Sequence, residues 1–344
     1  MPMDGLTAGF AARELNEMLR GGRIDRITQP ERDTVVLVIR AGGANHRLLL
    51  CASPNNARCH LTMGTFSNPL EPPALCMLMR KQLTGARIME IRQVGGDRVI
   101  DVDMDAVNEL GDHVLRRLVL EIMGRHSNLL LLDENERILE ATRHVNPEMS
   151  RVRQIQPGMV YLPPPPQDKL SPEELTGEAL HARIAAMGPG KLSRALADTV
   201  TGLSRASAEE LACRVLQGSG EWPDDLKDAC GRVADLMRRL PEIADARVLF
   251  GENGEAEDVF PFPYLSRRTD AQKAYRTLSE ALEVYFGTRD ARDRLSQKSA
   301  SMIRMLKGQL ERCQRKLAIQ MEEISSAERM EEYRRMGEAI NANL

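Results

Sequence analysis

Four consecutive prolines, Pro163 to Pro166, interrupt this 344-residue chain near its middle and separate two stretches of different pattern. A proline run cannot enter a helix interior or a central strand, because each ring locks φ and removes an amide donor. It favours an extended, fairly stiff polyproline II spacer. The segment PGMVYLPPPPQDKLSPEEL, residues 157–175, therefore predicts a domain boundary.

Before the spacer the pattern is that of an α+β domain with sheets as its main layers. A helix is expected over Gly5–Leu19, with Leu6, Phe10, Leu15, Met18 and Leu19 on one face and Gly21-Gly22 ending it. Short strands follow at Arg23–Gln29, Thr34–Ala41, His46–Ser53 and Ala57–Thr62, separated by turn-forming QPERD, AGGAN and SPNN. A second helix is expected near Pro73–Thr84. Five further strands are expected at Arg87–Val94, Arg98–Met104, Leu115–Met123, Asn128–Leu132 and Ile138–Thr142. This is helix, meander, helix, meander.

After the spacer, residues 171–240 read as several short helices. Gly188-Pro189-Gly190-Lys191 and the turn around Gly202 each precede a helical stretch. Such turns resemble helix–hairpin–helix modules, in which amides at a helix start face a phosphate; a plain connector with glycine caps would look the same. Residues 246–266 suggest a β-hairpin. Beyond about Asp270 the chain reads as helix to its end, and Ile303, Leu306, Leu310, Cys313, Leu317, Ile324 and Ala327 form a heptad seam. The seam predicts a coiled-coil arm that either self-associates or pairs with a returning helix beyond Leu344; truncation is the favoured expectation. The expected division is 1–170, 171–240 and 241–344.

Several classes of chemistry find no support. The chain carries no P-loop, GxSxG, HExxH or dinucleotide fingerprint, so neither catalytic residues nor a cofactor is expected. Six cysteines form no CxxC pair, and Cys59-His60 is poor spacing for one metal, so free thiols in a reducing compartment are expected. No apolar run approaches the 18 or so residues a membrane helix needs, and no secretory signal is visible, which predicts a cytoplasmic protein without a membrane partner. The net charge of −3 argues against a general nucleic-acid coat, so any RNA binding must use local patches. With aromatics at 3%, base stacking on aromatic platforms is not expected as the main mode.

Two segments could carry recognition. In Gln93-Val94-Gly95-Gly96-Asp97-Arg98 the glycine pair permits a tight turn at positive φ, leaving Asp97 and Arg98 exposed at its shoulder. In Glu121-Ile122-Met123-Gly124-Arg125-His126-Ser127-Asn128, Glu121, Arg125 and Asn128 could converge with that pair on one sheet end. Carboxylates accept from base amines, and arginine forks onto guanine. A turn aspartate beside a solvated arginine would give the same string. An N-terminal Pro2 could serve as a glycosylase nucleophile, but the acid that should adjoin it is replaced by Met3.

Blocks similar to MPMDGLTAGFAAREL, GGDRVI, LEIMGRHSNLLLLD, PGMVYLPPPPQDKLSP and ERCQRKLAIQMEE occur in this order in the NFACT family, and the chain resembles the N-terminal part of such proteins. The resemblance implies an N-terminal β-rich domain like the formamidopyrimidine-glycosylase N-terminal fold, a helix–hairpin–helix module and a coiled-coil arm. It also implies a ribosome-associated quality-control factor that is not itself an enzyme. Such a factor binds the stalled large ribosomal subunit with peptidyl-tRNA and recruits tRNA for template-free alanine tailing of the nascent chain. On this resemblance Asp97 and Arg98 match the functional motif, Asp4 matches an acidic position implicated in tailing, and Glu121 and Arg125 lie in a second matching block. Gly188, Gly190, Lys191 and Gly202 are the candidate phosphate contacts. The alternatives from other classes are a fibronectin-binding surface adhesin and a DNA glycosylase.

Overall fold

The computed structural model describes residues 3–218 and 222–343, without the side chains of 291–298, 300 and 301. Pro2 lies outside the described residues.

The first helix, α1 (Gly5–Leu19), begins where Asp4 caps it: the Asp4 carboxylate accepts the Thr7 amide at 2.9 Å. It ends at Gly21, which adopts φ +78°. Its core stripe differs from the expected one. Ala8, Ala11, Ala12, Leu15 and Leu19 face the main core, Met18 is exposed, and Leu6 and Phe10 pack against a second cluster. Small residues let the helix lie close to the sheet, which turns its bulkier side chains toward the helical module.

Two meanders follow, β1 (Arg23–Glu31), β2 (Thr34–Ala41), β3 (Ala44–Cys51), β4 (Arg58–Leu61), then β5 (Arg87–Gln93), β6 (Val99–Val107), β7 (His113–Glu121), β8 (Asn128–Leu132) and β9 (Ile138–Ala141). Helix α2 (Ala74–Leu83) lies between them. They are one antiparallel sheet of order β4-β3-β2-β1-β5-β6-β7-β8-β9. The join is short: Arg23 pairs with Arg87, flanked by Ile24 N to Ala86 O at 2.9 Å and Ile88 N to Gly22 O at 2.8 Å. Strand β6 shows why the pattern was readable. Ile100, Val102, Met104 and Ala106 enter the main core, while Asp101 and Asp103 lie on the other face. There Arg92 and Arg117 bond the two carboxylates, and Val99, Val119, Leu130 and Leu132 pack under Ile155. Burial lifts the Asp101 carboxyl above its ordinary range. Burial would also lift Asp103, but hydrogen bonds from Arg117 and Arg92 outweigh it and hold that carboxyl low.

Four helices form the second cluster: α3 (Gly177–Ala185), α4 (Leu192–Thr199), α5 (Arg205–Val215) and α6 (Leu226–Arg239). Phe260 and, in the loop just after it, Phe262 and Tyr264 complete it beside a three-stranded sheet, β10 (Arg247–Phe250), β11 (Ala256–Phe260) and β12 (Gln272–Ala274). Strand β12 corrects the expectation of helix from about Asp270. The Gln272 side-chain amide instead bonds both backbone groups of Tyr264, and the helix starts only at Leu278. That helix, α7 (Leu278–Asn341), crosses from one compact unit, residues 1–288, into a second, 289–344. Within the second unit Ile303, Leu306, Leu310, Leu317 and Ile324 are exposed. No described helix is long and apolar enough to cross a membrane.

The start of α7 is held by α1 and by the end of the first meander. Glu14 of α1 accepts the Leu278 amide at 2.7 Å and the Ser279 amide at 2.9 Å, satisfying donors that a helix start leaves open. Ser279 accepts the amide of edge residue Leu61 at 3.0 Å, and Thr62 donates to Glu283 at 3.0 Å. Beneath them His60 is fully buried, its Nδ1 2.8 Å from the Leu61 carbonyl and its Nε2 accepting from Arg58 at 3.1 Å. Burial first, then the neighbouring Arg58, lowers its pKa to about 3.

A second tight contact joins the two clusters. Gly5 of α1, Gly96 of the β5–β6 turn and Gly202 before α5 meet backbone to backbone, with Gly5 N donating to Gly202 O at 2.8 Å. A Cβ at Gly5 would collide with the Gly202 Cα and the Gly96 carbonyl, one at Gly202 would collide with that same carbonyl, and one at Gly96 would strike the Pro172 ring. Gly96 and Gly202 also hold φ of +72° and +82°.

Two outcomes are expected. Gly202→Ala should lose about 3 kcal/mol in urea unfolding, from positive φ plus overpacking. Gly188→Ala, at φ +78° with nothing within 4 Å of the new carbon, should lose only about 1 kcal/mol. Equal losses would remove the close contact as the cause. For His60 the unfolded ring takes a proton near pH 6.5 and the folded ring only near 3, so its contribution is complete above about 6.5 and is lost progressively as pH falls toward 3. Stability curves for wild type and His60→Gln between pH 5 and 7 should diverge in slope by up to about 1.4 kcal/mol per pH unit. Parallel curves would mean that the ring is not held neutral.

Candidate nucleic-acid interface

The Gly95-Gly96 turn places Asp97 and Arg98 at one end of the sheet. Asp97 N closes the turn onto Val94 O at 3.0 Å, and the Asp97 carboxylate accepts the Arg98 amide at 2.7 Å. The Arg98 Nε lies 3.8 Å from the same carboxylate oxygen. Neither side chain stands clear as the sequence suggested: Asp97 is 23% and Arg98 27% exposed. The turn is folded down because Gln93 bonds both Asp97 O at 2.7 Å and Gly5 O at 2.6 Å, against the glycine contact. The result is a carboxylate and a guanidinium held on a short, braced turn.

The second segment does reach the same end. Val99 pairs with Glu121, and Ile122 N donates to Arg98 O at 2.8 Å. The side chains then part. Arg125 and His126 are exposed on a single 3-10 turn, with Arg125 Nε 3.0 Å from His126 Nε2. Glu121 instead points under the sheet and is 1% exposed. It accepts both terminal nitrogens of Arg153 and the Tyr161 hydroxyl at 2.9 Å. Burial, reinforced by the Glu121 charge, pushes the Tyr161 phenol far above its ordinary range, so it remains a donor. Asn128 is likewise internal. Its amide oxygen takes the Leu129 and Arg143 amides and the Thr142 hydroxyl, and its NH₂ donates to Arg143 O.

Asp4 sits behind the turn and is 5% exposed. One oxygen caps α1; the other takes the Ser204 amide at 3.2 Å and the Ser207 hydroxyl, which in turn is 3.0 Å from Tyr264 OH. Gly202 is occupied by the glycine contact. Gly188 and Gly190 have open space around them in the α3–α4 turn. Lys191 lines a groove with Ser193, Arg194 and Arg205, and it precedes α4. Among the described residues Lys191 and Arg205 make no ion pair, and both are exposed.

Sequence reading did not single out Arg143 or Arg153. Arg143 donates to Arg125 O at 2.9 Å and pairs with Asp33 of the β1–β2 turn at 3.2 Å, fixing the exposed 3-10 turn from behind. The Arg151-Val152-Arg153 pair just ahead of the proline spacer was the available signal, but nothing local links it to a glutamate 32 residues earlier.

A nine-stranded antiparallel sheet and a helical module locked to one end of it by glycines define an α+β protein whose polar, braced sheet end is its candidate interface. The chain belongs to the NFACT family: residues 4–344 match the model for NFACT N-terminal and middle domains. It is 33% identical over 346 residues to "Rqc2 homolog RqcH" of Bacillus subtilis, covering all of this chain and 59% of that protein. The Rqc2 homolog RqcH of Streptococcus pneumoniae is 32% identical, covering all of this chain and 58% of the relative. This chain thus spans less than two thirds of the relatives it matches. Among solved structures, the N-terminal part of the fibronectin/fibrinogen-binding protein from Streptococcus suis superposes with TM-score 0.70 at 32% identity, covering 83% of this chain and 99% of that one. The fibrinogen binding protein from Staphylococcus aureus gives the same TM-score at 29% identity, again over 83% and 99%.

Opposite effects are expected within one block. Glu121→Ala strands a buried arginine and should cost about 3–5 kcal/mol in denaturant unfolding. Arg125→Ala, on the exposed turn, should stay within about 0.5 kcal/mol. Similar stability of the two variants would contradict the buried role given to Glu121.

Proposed function

We propose that this chain is the tRNA-reading and arm-bearing part of a ribosome-associated quality-control factor. It binds the stalled large ribosomal subunit with peptidyl-tRNA in the cytoplasm and recruits tRNA for template-free alanine tailing. It acts by binding, while the ribosome forms the peptide bonds. In this reading residues 1–170 are the tRNA-reading domain, related to the formamidopyrimidine-glycosylase N-terminal fold. Residues 171–240 are a helix–hairpin–helix module, and 241–344 carry the first helix of a coiled coil, whose exposed seam pairs with another helix.

The observation that carries the proposal is the braced turn of Asp97 and Arg98. An acceptor and a forked donor, held side by side and only partly wetted, match a base edge better than a phosphate, which would need cations alone. Arg125, exposed beside the turn, serves the adjoining backbone. Asp4 and Glu121 support from beneath: the first ties α1 to α5, the second fixes the strand carrying the exposed turn. Phosphates are met in the helical module by Lys191 with the open Gly188–Gly190 turn, and Gly202 contributes packing there. Names of the similar solved structures point to fibronectin and fibrinogen, and the same experiments separate that reading.

Asp97→Ala and Arg98→Ala should each leave the melting temperature nearly unchanged and weaken the preferred tRNA by about 1–3 kcal/mol, with reduced discrimination in competition among several purified tRNAs. Uniform weakening of all tRNAs with a shallower salt dependence would move Arg98 to a backbone role. Surface exposure on cells with no co-sedimentation with large ribosomal subunits would replace the proposal with adhesion.

A further inference from the structure

Behind the Asp97–Arg98 turn lies a cavity of about 190 Å³ between α1, the β5–β6 turn and the end of α6. Its walls are mainly apolar, with Phe10, Leu203, Met237, Leu240 and Pro241 among them. The volume is below the roughly 300–1,000 Å³ of pockets that enclose drug-sized ligands, so it suits a single ring system. Three polar side chains border it, and each keeps a group without a hydrogen-bond partner among the described residues. Arg13 is exposed and makes no hydrogen bond or ion pair among the described residues. The Thr201 hydroxyl likewise has no partner among them. Gln93 donates from its NH₂ to Gly5 O and Asp97 O, which fixes the orientation of the amide. Its carbonyl oxygen lies over Gly9, another wall residue, and accepts no hydrogen bond among the described residues.

We propose that this cavity takes one unstacked nucleobase bearing an exocyclic amine, with the attached phosphate on Arg13. The apolar walls hold the ring faces, Met237 offering a polarisable sulfur to them. The amine donates to the Gln93 carbonyl. Uracil has no such amine and offers only its ring N3–H, set between two carbonyl oxygens that repel the Gln93 carbonyl, and a site built around a polar contact discriminates against the analogue that cannot make it well. The guanidinium supplies the charge complement for a nearby phosphate. Because Gln93 and Gly96 belong to both places, a base seated here sits directly behind the turn that bears Asp97 and Arg98. The site deepens the RNA-binding proposal and rests on it, since it supplies a second contact on the same strand of RNA.

The test uses adenosine, cytidine and uridine 5′-monophosphates, titrated against this chain by ligand-observed NMR, with thermal melts as the folding control. AMP or CMP should bind saturably and UMP more weakly. Arg13→Gln should weaken the bound nucleotide about tenfold, the loss of a charge-assisted bond. Met237→Trp should fill the cavity and abolish binding; if it lowers the melting temperature sharply, Thr201→Leu fills the opposite wall instead. Absence of saturable binding, or equal binding by wild type and both variants, overturns the proposal, and equal affinity for UMP overturns the amine contact. Binding of tRNA that depends on Arg98 while the cavity stays empty would sink this site alone. Nucleotide binding without any tRNA binding would keep the site and sink the RNA-reading function.

Discussion

The backbone contact of Gly5, Gly96 and Gly202 organises the rest of the first unit. Three segments drawn from the chain's beginning, a hairpin tip and the helical module touch where no side chain fits. Because they touch, α1 becomes a shared wall, with its alanine stripe in the sheet core and Leu6 and Phe10 in the helical cluster. Phe10 packs against Phe262 with the rings tilted and their centroids 5.8 Å apart, which draws in the loop after β11. Asp4 then finds itself between two helix starts and caps one while bonding the other. The Asp97–Arg98 turn is stiffened by the same contact, and a stiff recognition group loses less entropy on binding than a loose one.

Charge is distributed on the same logic. A net charge of −3 gives little long-range attraction for RNA. Yet four arginines in and beside the second meander are spent on acids: Arg92 and Arg117 on Asp101 and Asp103, Arg153 on Glu121, Arg143 on Asp33. Those pairings neutralise acids on the outer face of the sheet and hold its strands and flanking loops. Around the candidate interface and the α3–α4 turn, Arg13, Arg125, Lys191 and Arg205 are exposed and make no ion pair among the described residues, so they are available to an anionic partner. Local supply of such groups matters more here than the overall balance.

Helix α7 begins from an equally specific anchorage. Glu14, Ser279, Glu283 and the buried His60 assign the first turns of α7 to the open edge of β4, covering backbone groups that would otherwise invite another strand. A helix whose distal seam is apolar and exposed needs a firm root, since isolated helices draw little stability from their own hydrogen bonds.

How much of this could be read in advance depended on range. Helix α1 and strands β2 and β8 stand at their expected bounds, and the other strands of the two meanders within a few residues, because apolar alternation and glycine turns are local signals. The first meander and the second were legible as separate runs; that they form one sheet through Arg23 and Arg87 was not, since a single pairing leaves no periodicity. Short β12 escaped because three residues carry no pattern. At the candidate site, the residue types and the turn that presents Asp97 and Arg98 were fixed locally by Gly95-Gly96. Only the tertiary structure decided that Glu121 turns inward to Arg153 while Arg125 stays out, since their partners lie 18 to 32 residues away in sequence. Likewise a glycine's composition says that a tight approach is permitted, but which backbone approaches, here Gly202 against Gly5 and Gly96, is a property of packing between distant segments that no local pattern encodes.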